Sequence, residues 1–334
     1  MSFFDLLKAQ YKTLPQPLTS EDCHGRTFIV TGANAGLGLE ATKHLVSLGS
    51  ARVIMAVRNT RSGEAAKEDI EEATGRRGML EVWRLDLASY DSVVEFAAKA
   101  QTDLDRIDGL IENAGVAMGQ WTEAEGNETS VTVNVISTML LAVLLLPHME
   151  KTAAKYATVP RIAMIGSIVA FDAQPSLAKM DRGNILGDLR DRQKWEPHMD
   201  ASYPRSKMLS LFAFRQLSEL APVSRTGVVM NWINPGICST GLDRNANFAI
   251  KLQIGFARAL MGRTAEQGSR TLLHGLAADK ESHGKYLTEC EVRDDLVPEW
   301  FTNEDGRDWQ VRIWSEVAKV LDRVQPGCVR RIEA

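Results

Sequence analysis

The chain has 334 residues, of which 44% are hydrophobic and 25% are charged, and its formal net charge is −4. This composition is that of an ordinary globular protein with enough residues to bury a large core, which argues against a disordered or fibrous chain. The slightly acidic balance, without a long run of one sign, excludes the electrostatic footprint of a nucleic-acid-binding protein and favours a small-molecule partner.

Residues 1–24 are predicted to form an N-terminal arm. Their sequence begins MSFFDLLKAQYKTLPQP and has neither the basic start nor the continuous apolar region of a signal peptide. The cysteines are widely separated and lie near no histidine cluster, so they match neither a disulfide framework nor a zinc site. We interpret them as reduced thiols of an intracellular, cytoplasmic protein, and we expect no metal: Cys23, Cys238, Cys290 and Cys328.

Short apolar runs alternate with longer helical patterns through most of the chain. The predicted strands span residues 27–31, 51–57, 81–86, 108–113, 161–166 and 227–233. Because these runs are almost continuously apolar, they suit strands buried on both faces. Repeated strand–helix–strand units predict an α/β fold, with a doubly wound parallel sheet, helices on both faces and one domain over residues 25–334.

Three segments depart from the simple alternation. Residues 168–200 are rich in Asp, Arg, Pro and Gly and are expected to be a surface insertion, whereas residues 238–263 suit either a flap over a substrate pocket or a peripheral helix pair. The apolar run Val135 to Leu146 is about half the roughly 20 residues that a membrane span needs, so a buried core helix is predicted.

The stretch TGANAGLGLE, residues 31–40, lies between the first strand and the first helix. Gly32, Gly36 and Gly38 follow the spacing G-x-x-x-G-x-G, and Asn34 is placed to order the turn through side-chain hydrogen bonds. A glycine turn of this kind is either merely structural or a cradle for phosphates. Its position at a helix N-terminus favours the cradle, because amide groups there face a bound pyrophosphate.

The second strand ends in MAVRN, with Val57 where an NAD-binding enzyme would place an acidic residue, and with Arg58 beside it. A guanidinium forms charge-assisted hydrogen bonds to a phosphate, whereas a carboxylate would repel it. NADP(H) is therefore expected rather than NAD, with Arg58 on the 2′-phosphate. The alternative is that Arg58 is an ordinary solvated charge.

Tyr203 and Lys207 in YPRSK are four residues apart and so share one face of a helix. A free phenol with a pKa of ~10 exchanges protons poorly at neutral pH, and a shift of three units requires about 4 kcal/mol. A lysine charge at about 4 Å supplies that order of energy. We therefore expect Lys207, helped by an oxidised nicotinamide ring, to lower the pKa of Tyr203. A surface contact is the alternative.

Two polar residues lie in positions that suit chemistry. Ser167 follows the fifth strand at the carboxyl edge of the sheet, where it suits either a hydrogen bond to a substrate carbonyl or a helix cap. Asn134 lies within an apolar helical run, where an amide needs hydrogen-bond partners. A structural bond and a role in proton relay are both compatible with that position.

With these residues in order, the chain resembles the short-chain dehydrogenase/reductase family, which has a single Rossmann domain, over residues 24–290. The resemblance implies a catalytic tetrad of Asn134, Ser167, Tyr203 and Lys207. The cofactor site that it implies, beyond Arg58 and the catalytic Tyr203 and Lys207, consists of Gly32, Asn34, Gly36, Leu37 and Gly38 in the Thr31 to Gly38 turn, Asp86 and Leu87 at the adenine, Asn113, Ala114 and Gly115 in ENAG, and Pro235, Gly236, Ile237 and Thr240 at the nicotinamide carboxamide.

The chain departs from the family pattern at two positions. Glu112 replaces the first Asn of the usual N-N-A-G motif and is expected to place a carboxylate beside the cofactor site, and Gly166 replaces a frequent Ser. The residues around Arg58 and the C-terminal region look like the retinol-dehydrogenase-like branch, in particular fungal members of secondary metabolism.

The resemblance implies NADPH-dependent reduction of a ketone or aldehyde, reversible as alcohol oxidation. A non-redox cyclase or dehydratase and an NADP-binding scaffold are the alternatives. The 238–263 segment with Met208, Phe212 and Phe214 suits a hydrophobic substrate, although such residues are more often core. A homodimer is a further expectation, because two-fold dimers are common and the helix over residues 131–149 could contribute to one.

Overall fold

The computed structural model describes residues 8–239, 241 and 262–333. Its strands are β1 Thr27–Thr31, β2 Arg52–Val57, β3 Leu80–Arg84, β4 Gly109–Glu112, β5 Glu123–Ala124, β6 Asn127–Glu128, β7 Arg161–Ile165, β8 Val229–Asn234, β9 Tyr286–Thr288 and β10 Glu291–Val292. Its longer helices are α1 Gly36–Ser47, α2 Thr60–Thr74, α3 Tyr90–Asp103, α4 Thr138–Tyr156, α5 Ser202–Leu220, α6 Ala265–Ala277 and α7 Glu304–Val324.

Eight strands form one sheet in the order β10-β9-β8-β7-β4-β1-β2-β3. Every pair is parallel except β9 and β10, which are antiparallel. All six predicted strands are present with ends within two residues, so the doubly wound Rossmann sheet is confirmed. The chain runs outward from β1 to β3 and then returns to β4 on the other side of β1. A crevice therefore opens between β1 and β4, where such sheets bind their ligands.

Helices cover both faces of the sheet, and each face has its own apolar core. On one face α1, α2 and α6 contribute side chains such as Leu45, Ile70 and Leu272. On the other face α3, α4 and α5 pack against the sheet, and α7 packs on the outer side of α5. The apolar helix over Thr129–Tyr156 has 89% of its most apolar stretch buried inside the protein, as predicted for a core helix.

A π-helical turn, Thr132–Ser137, interrupts this helix before α4 begins. Such wide turns are uncommon and often occur at functional sites. The remaining helical turns are short: Ser20–Cys23, Thr129–Val131, Ile168–Ala173, Gln174–Leu177, Ile185–Asp188, Arg192–Trp195, Glu196–Ala201, Val223–Thr226, Lys280–Ser282, Asp294–Leu296, Glu299–Thr302 and Arg330–Glu333.

The segment 168–200 is more than the surface excursion expected from its polar composition. It forms a series of short helical turns whose apolar side chains enter the core beneath α7 and α5, among them Ile185, Leu186 and Trp195. Glu316 of α7 accepts hydrogen bonds from the main-chain N–H groups of Ile185 and Leu186, both at 2.7 Å. Helix α7 therefore holds this segment against the protein.

Candidate active site

The glycine turn after β1 is shaped by backbone conformation and by close packing. Gly32 and Gly36 have φ angles of 66° and 58°, which favour glycine. A Cβ atom at Gly38 would lie 2.6 Å from both the Asn113 Nδ2 and the Gly32 carbonyl oxygen. The turn therefore needs glycine at these positions to bring the main chain to the carboxyl edge of the sheet.

The N-A-G part of the loop after β4 supports this turn. Asn113 Nδ2 donates to the Thr31 carbonyl at 2.9 Å, and the Ala114 N–H donates to Thr31 Oγ1 at 2.9 Å. Asn113 and Ala114 thus clamp the turn that begins at Thr31. Gly115 is also closely packed, because a Cβ atom there would lie 3.1 Å from Asn134 Oδ1.

Helix α1 begins directly after this turn, and no side chain caps its first amide groups. Uncapped N–H groups at the positive end of a helix dipole suit an anion such as pyrophosphate. Leu37 and Gly38 in this first turn are buried. Asn34 does not bond within the turn as expected but donates to Ser62 Oγ at 3.3 Å, linking the turn to the start of α2. The glycine turn thus has the shape and the free donors that a dinucleotide phosphate requires.

Arginines border the crevice beyond β2 and β3. Arg58 is exposed, and within the described part of the chain it has no hydrogen bond or ion pair. Arg84 was missed by the sequence analysis; it ends β3 directly opposite Val57 in the parallel register and is also exposed. Its position follows from that register, which a single sequence does not specify.

The residues expected at the adenine lie in the turn after β3. The Asp86 carboxylate accepts a hydrogen bond from the Ala88 N–H at 3.0 Å, and its own N–H donates to Ser92 Oγ. Leu87 is buried. Asp86 therefore shapes this turn at the same edge of the sheet as the glycine turn.

Ser167, Tyr203 and Lys207 lie together at the carboxyl end of β7. The Ser167 side chain lies close enough to the Tyr203 phenol to influence its pKa. Lys207 Nζ lies 5.9 Å from the centre of the Tyr203 ring and donates to the Ile165 carbonyl at 2.6 Å. The bond to Ile165 anchors the lysine at the end of β7, two residues before Ser167.

Tyr203 is half-buried, and the loss of solvent around its phenol controls its proton affinity. This desolvation raises the pKa of the phenol to about 12, while the Ser167 side chain opposes the rise. The expectation that Lys207 lowers this pKa is not met within the protein itself, because desolvation outweighs every other influence. The phenol is therefore protonated at neutral pH and available as a proton donor.

Lys207 is buried in the same place, and burial lowers the pKa of its ammonium group to about 8. The neighbouring carboxyl of Glu112 opposes that lowering. At neutral pH Lys207 therefore keeps its positive charge, and it loses the proton as the pH rises through about 8.

Asn134 lies in the π-helical turn and is fully engaged as a donor. Its Oδ1 accepts from the Val116 N–H at 2.9 Å, and its Nδ2 donates to the Val116 carbonyl at 2.8 Å and to Ser206 Oγ at 2.9 Å. The side chain therefore ties the loop after β4 to α5. A water bound by Asn134 would have to use the main chain or the remaining lone pair of Oδ1.

Glu112 lies at the carboxyl end of β4, one of the two strands that border the crevice, but its carboxyl group is buried. The residue is only 3% exposed. Burial raises the pKa of its carboxyl well above the usual value, and Lys207 opposes that rise. Neither carboxylate oxygen has a hydrogen-bond partner.

The segment after β8 is held by residues distant in the sequence. Gln10 Nε2 donates to the Ile237 carbonyl at 2.6 Å, and the Ile237 N–H donates to Gln10 Oε1 at 3.2 Å. Buried Arg263 donates to the carbonyl groups of Pro235 and Ala9. Gly236 has a φ of 79°, and a Cβ atom there would lie 2.7 Å from both Gln10 and Arg263.

Sequence analysis did not identify Gln10 or Arg263, because each lies more than 20 residues from the motif that it contacts. Thr240 and most of the proposed 238–263 flap lie outside the described residues. At its described ends, the Ser239 N–H donates to the Arg263 carbonyl and the Arg263 N–H donates to the Ile237 carbonyl.

Several residues that suggested a hydrophobic substrate belong to the core. Met208, Phe212 and Phe214 are each 0% exposed.

Residues 8–239, 241 and 262–333 contain no cluster of His, Cys, Asp or Glu suited to a metal ion. None of the four cysteines, all of which lie within the described residues, forms a disulfide bond.

Proteins with similar sequences identify the family of this chain. The sequence model described as short chain dehydrogenase matches residues 26–179. The short chain dehydrogenase/reductase dmxR8 of Cryptosporiopsis sp. is 40% identical over 320 residues, covering 95% of this chain and 96% of the relative. The short chain dehydrogenase atnD of Emericella nidulans is 39% identical over 285 residues, covering 84% and 88%.

Solved structures share the fold. The NADPH bound carbonyl reductase from chicken fatty liver matches with a TM-score of 0.59 at 22% identity, over 84% of this chain and 98% of that chain. Salutaridine reductase from Papaver somniferum matches with a TM-score of 0.59 at 17% identity, over 78% and 99%. The closer resemblance to the retinol-dehydrogenase-like branch stays a prediction. The extent and identity of the match to dmxR8, together with the Rossmann sheet, show that the chain belongs to the short-chain dehydrogenase/reductase family.

Proposed function

We propose that this protein catalyses the NADPH-dependent reduction of a ketone or aldehyde on a hydrophobic small molecule, reversible as alcohol oxidation. The observation that carries the proposal is the group formed by Ser167, Tyr203 and Lys207 at the carboxyl end of β7, with a phenol whose pKa is raised to about 12. A protonated phenol beside a serine hydroxyl is suited to give a proton to a carbonyl oxygen.

The residues take separate roles in this reaction. When bound, NADPH supplies hydride to the carbonyl carbon. Tyr203 donates its proton to the carbonyl oxygen, and Ser167 stabilises the developing negative charge through its hydroxyl. Lys207 would bind the ribose hydroxyl groups. The Asn134 side chain holds the loop after β4 in place. Its main chain binds the water molecule that returns the proton to Tyr203.

The glycine turn and the border of the crevice suit the dinucleotide. Gly32, Gly36 and Gly38 leave room for the pyrophosphate at the uncapped start of α1. Arg58 and Arg84 are exposed at the ends of β2 and β3 and suit the 2′-phosphate of NADPH. Asp86 and Leu87 would hold the adenine.

The loop after β4 and the segment after β8 complete the proposed cofactor site. Asn113, Ala114 and Gly115 would line its centre. Pro235, Gly236, Ile237 and Thr240 would hold the carboxamide.

A hydrophobic substrate suits the half-buried apolar side chains that lie near the proposed catalytic residues in the sequence. Val116 and Met118 follow the N-A-G loop, and Phe171 follows Ser167 by four residues. We place the reaction in the cytoplasm, with polyketide, terpenoid and retinoid ketones as the compounds to test. A homodimer remains part of the proposal.

Replacement of Tyr203 tests the reaction itself. Tyr203→Phe removes the proton donor and leaves the ring, so NADPH oxidation with a ketone panel should fall by about 10²- to 10⁴-fold, the usual contribution of a general acid. NADPH affinity, measured by fluorescence titration, should be nearly unchanged. Tyr156→Phe at the far end of α4 is the matched control and should keep full activity.

The same assay separates the alternatives. Undiminished NADPH oxidation in Tyr203→Phe would contradict the proposed donor. Product formed without consumption of NADPH would instead support a cyclase or dehydratase. Tight NADPH binding with no product from any compound would support a scaffold.

Replacement of Arg58 tests the choice of cofactor. Arg58→Ala should weaken NADPH binding about tenfold or more and leave NADH binding unchanged, since a charge-assisted hydrogen bond is worth about 1.5–3 kcal/mol. Arg77→Ala removes another exposed positive charge just before β3, at the opposite edge of the sheet, and should change neither affinity. An equal loss for both dinucleotides would rule out a 2′-phosphate contact.

A further inference from the structure

The parallel ladder between β7 and β8 ends at a proline. Its last main-chain hydrogen bond runs from the Gly166 N–H to the Ile233 carbonyl at 2.7 Å. In that register the Gly166 carbonyl would next accept from the N–H of residue 235, but Pro235 has none. The two chains therefore lose their main-chain pairing just before Ser167 on one side and at Pro235 on the other.

Asn234, the last residue of β8, supplies the acceptor that the ladder lacks. Its Oδ1 accepts from the Ile168 N–H at 3.1 Å and, over a longer distance of 3.4 Å, from the Gly236 N–H. Its Nδ2 donates to Oγ1 of Thr288, its direct partner in β9, at 3.0 Å. Because a main-chain N–H only donates, the two N–H groups identify the oxygen end of the amide. One side chain thus joins β8 to β9 and to the chain that leaves β7.

The amide of Asn234 is enclosed by the protein. Asn234 is 4% exposed and Thr288 is 1% exposed. A buried amide is costly unless its hydrogen bonds are made, and here the oxygen and the nitrogen both have partners. The side chain is therefore fixed in one orientation, and so are the groups that it binds.

The backbone of Ser167 is held on both sides of the residue. The Gly166 N–H is bound before it, the Ile168 N–H is bound after it, and Ser167 itself is extended, with φ −164° and ψ 143°. Its side chain does not cap the helical turn that follows, so the helix-cap alternative for this serine is not realised. The direction of the hydroxyl is therefore set by a backbone that Asn234 anchors.

The same amide also holds the segment 235–237, which we place at the nicotinamide carboxamide. Gly236, in the middle of this segment, donates its N–H to Asn234. Gln10 and Arg263 bind the main chain of the segment from the N-terminal arm and from the chain before α6, whereas Asn234 binds it from the sheet. Asn234 is thus shared by the proposed substrate side and the proposed cofactor side of the site.

We propose that Asn234 is a positioning residue that fixes the Ser167 hydroxyl relative to the nicotinamide end of the cofactor. The part that concerns Ser167 rests on the proposed function, because it requires a carbonyl substrate. The part that concerns the segment 235–237 requires only a bound dinucleotide. Asn234 acts through the main chain at Ile168 and Gly236 and not on the reacting atoms.

A double-mutant cycle in kcat tests the action through Ser167. Asn234→Leu keeps roughly the shape of the side chain and removes both polar atoms, so kcat for carbonyl reduction should fall about 10- to 100-fold, the size expected for a reacting group displaced by up to about 1 Å. Ser167→Ala should lower kcat about 10²- to 10³-fold. In the Ser167→Ala background the added loss from Asn234→Leu should be only about twofold, because the hydroxyl that it positions is absent. Multiplicative losses would overturn the inference.

Asn231 offers a matched control in the same strand. Its buried amide donates to the Gly275 carbonyl of α6 at 3.2 Å and contacts no part of the proposed site through that bond. Asn231→Leu should lower the free energy of unfolding as Asn234→Leu does, yet leave kcat of the folded enzyme unchanged. An equal fall of kcat in both variants would show that any lost buried amide in β8 disturbs the site, which would overturn the inference.

Rescue by a conservative variant is a further readout. Asn234→Asp keeps an acceptor oxygen for the Ile168 and Gly236 N–H groups, and the Thr288 hydroxyl can turn to donate to the second oxygen. This variant should therefore recover most of the kcat that Asn234→Leu loses. A loss as large as that of Asn234→Leu would contradict the role given to Oδ1.

Binding measurements separate this inference from the proposed function. Asn234→Leu should weaken NADPH binding about three- to tenfold, the effect expected from loss of a neutral hydrogen bond. Binding of adenosine 2′,5′-bisphosphate, the adenine half of NADPH without the nicotinamide, should be unchanged. An unchanged affinity for NADPH, or an equal loss for both ligands, would overturn the part that concerns the segment 235–237.

The two kinds of failure differ in their results. Selective loss of NADPH affinity in a protein that reduces no carbonyl compound would refute the proposed function and leave the role of Asn234 at the segment 235–237 standing. Turnover with multiplicative losses in the cycle would refute the role at Ser167 and leave the proposed function standing.

If Asn234→Leu does not fold, Thr288→Val takes its place in the cycle and in the titrations. It removes the acceptor of Asn234 Nδ2 and keeps the shape of the side chain, so the amide loses the bond that fixes its orientation. A smaller loss of kcat is expected, with the same dependence on Ser167. A loss that is independent of Ser167 would overturn the inference.

Discussion

The identity of residue 166, next to Ser167, is determined by the space that Trp232 leaves for it. Gly166 precedes Ser167, and a Cβ atom there would lie 2.1 Å from Cζ2 of Trp232 in β8. Trp232 is fully buried and packs against Tyr286 with ring centres 5.8 Å apart. Glycine thus replaces the frequent Ser at this position because the Trp232 ring in the adjacent strand leaves no room for a side chain.

Gly166→Ala should therefore be strongly destabilising. The added methyl group cannot fit without displacing the buried indole ring, and overpacking of this kind costs about 1–3 kcal/mol or more. Urea denaturation should show a lower free energy of unfolding and a lower melting temperature.

A double-mutant cycle identifies the cause. In a Trp232→Leu background the added cost of Gly166→Ala should be much smaller, because the clashing ring is absent. An equal cost in both backgrounds would mean that the loss arises from the backbone and not from Trp232.

Local sequence patterns were sufficient to bring Ser167, Tyr203 and Lys207 together. A strand end fixes the first residue, and the helical period places the other two on one face. The patterns could not reveal the raised pKa of Tyr203 or the burial of Glu112. Both depend on how α5 packs against the sheet, and this depends on residues far apart in the chain.

At the scale of elements, strands with a continuous apolar run were predictable and short ones were not. The strands β9 and β10 have three and two residues, too few for a periodic pattern to emerge. The 168–200 segment was misjudged because its polar composition conceals isolated apolar residues, such as Trp195, that reach the core one at a time. Partners in α7 then order it.

The contact between α7 and this segment can be tested at Glu316. Glu316→Ala would leave two buried N–H groups, those of Ile185 and Leu186, without their acceptors, at a cost of about 2–4 kcal/mol. Amide hydrogen exchange should increase in the turn Ile185–Asp188.

Ser315→Ala, an exposed neighbour in α7, is the control and should leave stability and exchange unchanged. The loss of stability and the increase in exchange in Glu316→Gln should be smaller than in Glu316→Ala and larger than in Ser315→Ala, since glutamine keeps an acceptor oxygen and loses the charge. Unchanged exchange in Glu316→Ala would show that apolar packing alone orders the segment.

At the scale of the whole molecule, the order of the strands places the site. The reversal between β1 and β4 opens the crevice, and the glycine turn, Ser167 and the segment after β8 all lie on its carboxyl edge. The sequence analysis predicted a doubly wound parallel sheet from the repeated strand–helix–strand units, but it assigned no strand order. It could not predict the contacts of Gln10 and Arg263, which no local pattern encodes.

Those two contacts also affect how the protein is made. Ala9 and Gln10 bond to Arg263 and Ile237, at sequence separations of 254 and 227 residues. At roughly 5–20 residues per second of synthesis, on the order of ten to fifty seconds pass between the appearance of the two partners. The segment after β8 can therefore acquire its final support only once residue 263 has been synthesised, and a nascent chain interrupted before that residue would leave the ribosome with this edge of the crevice unsecured.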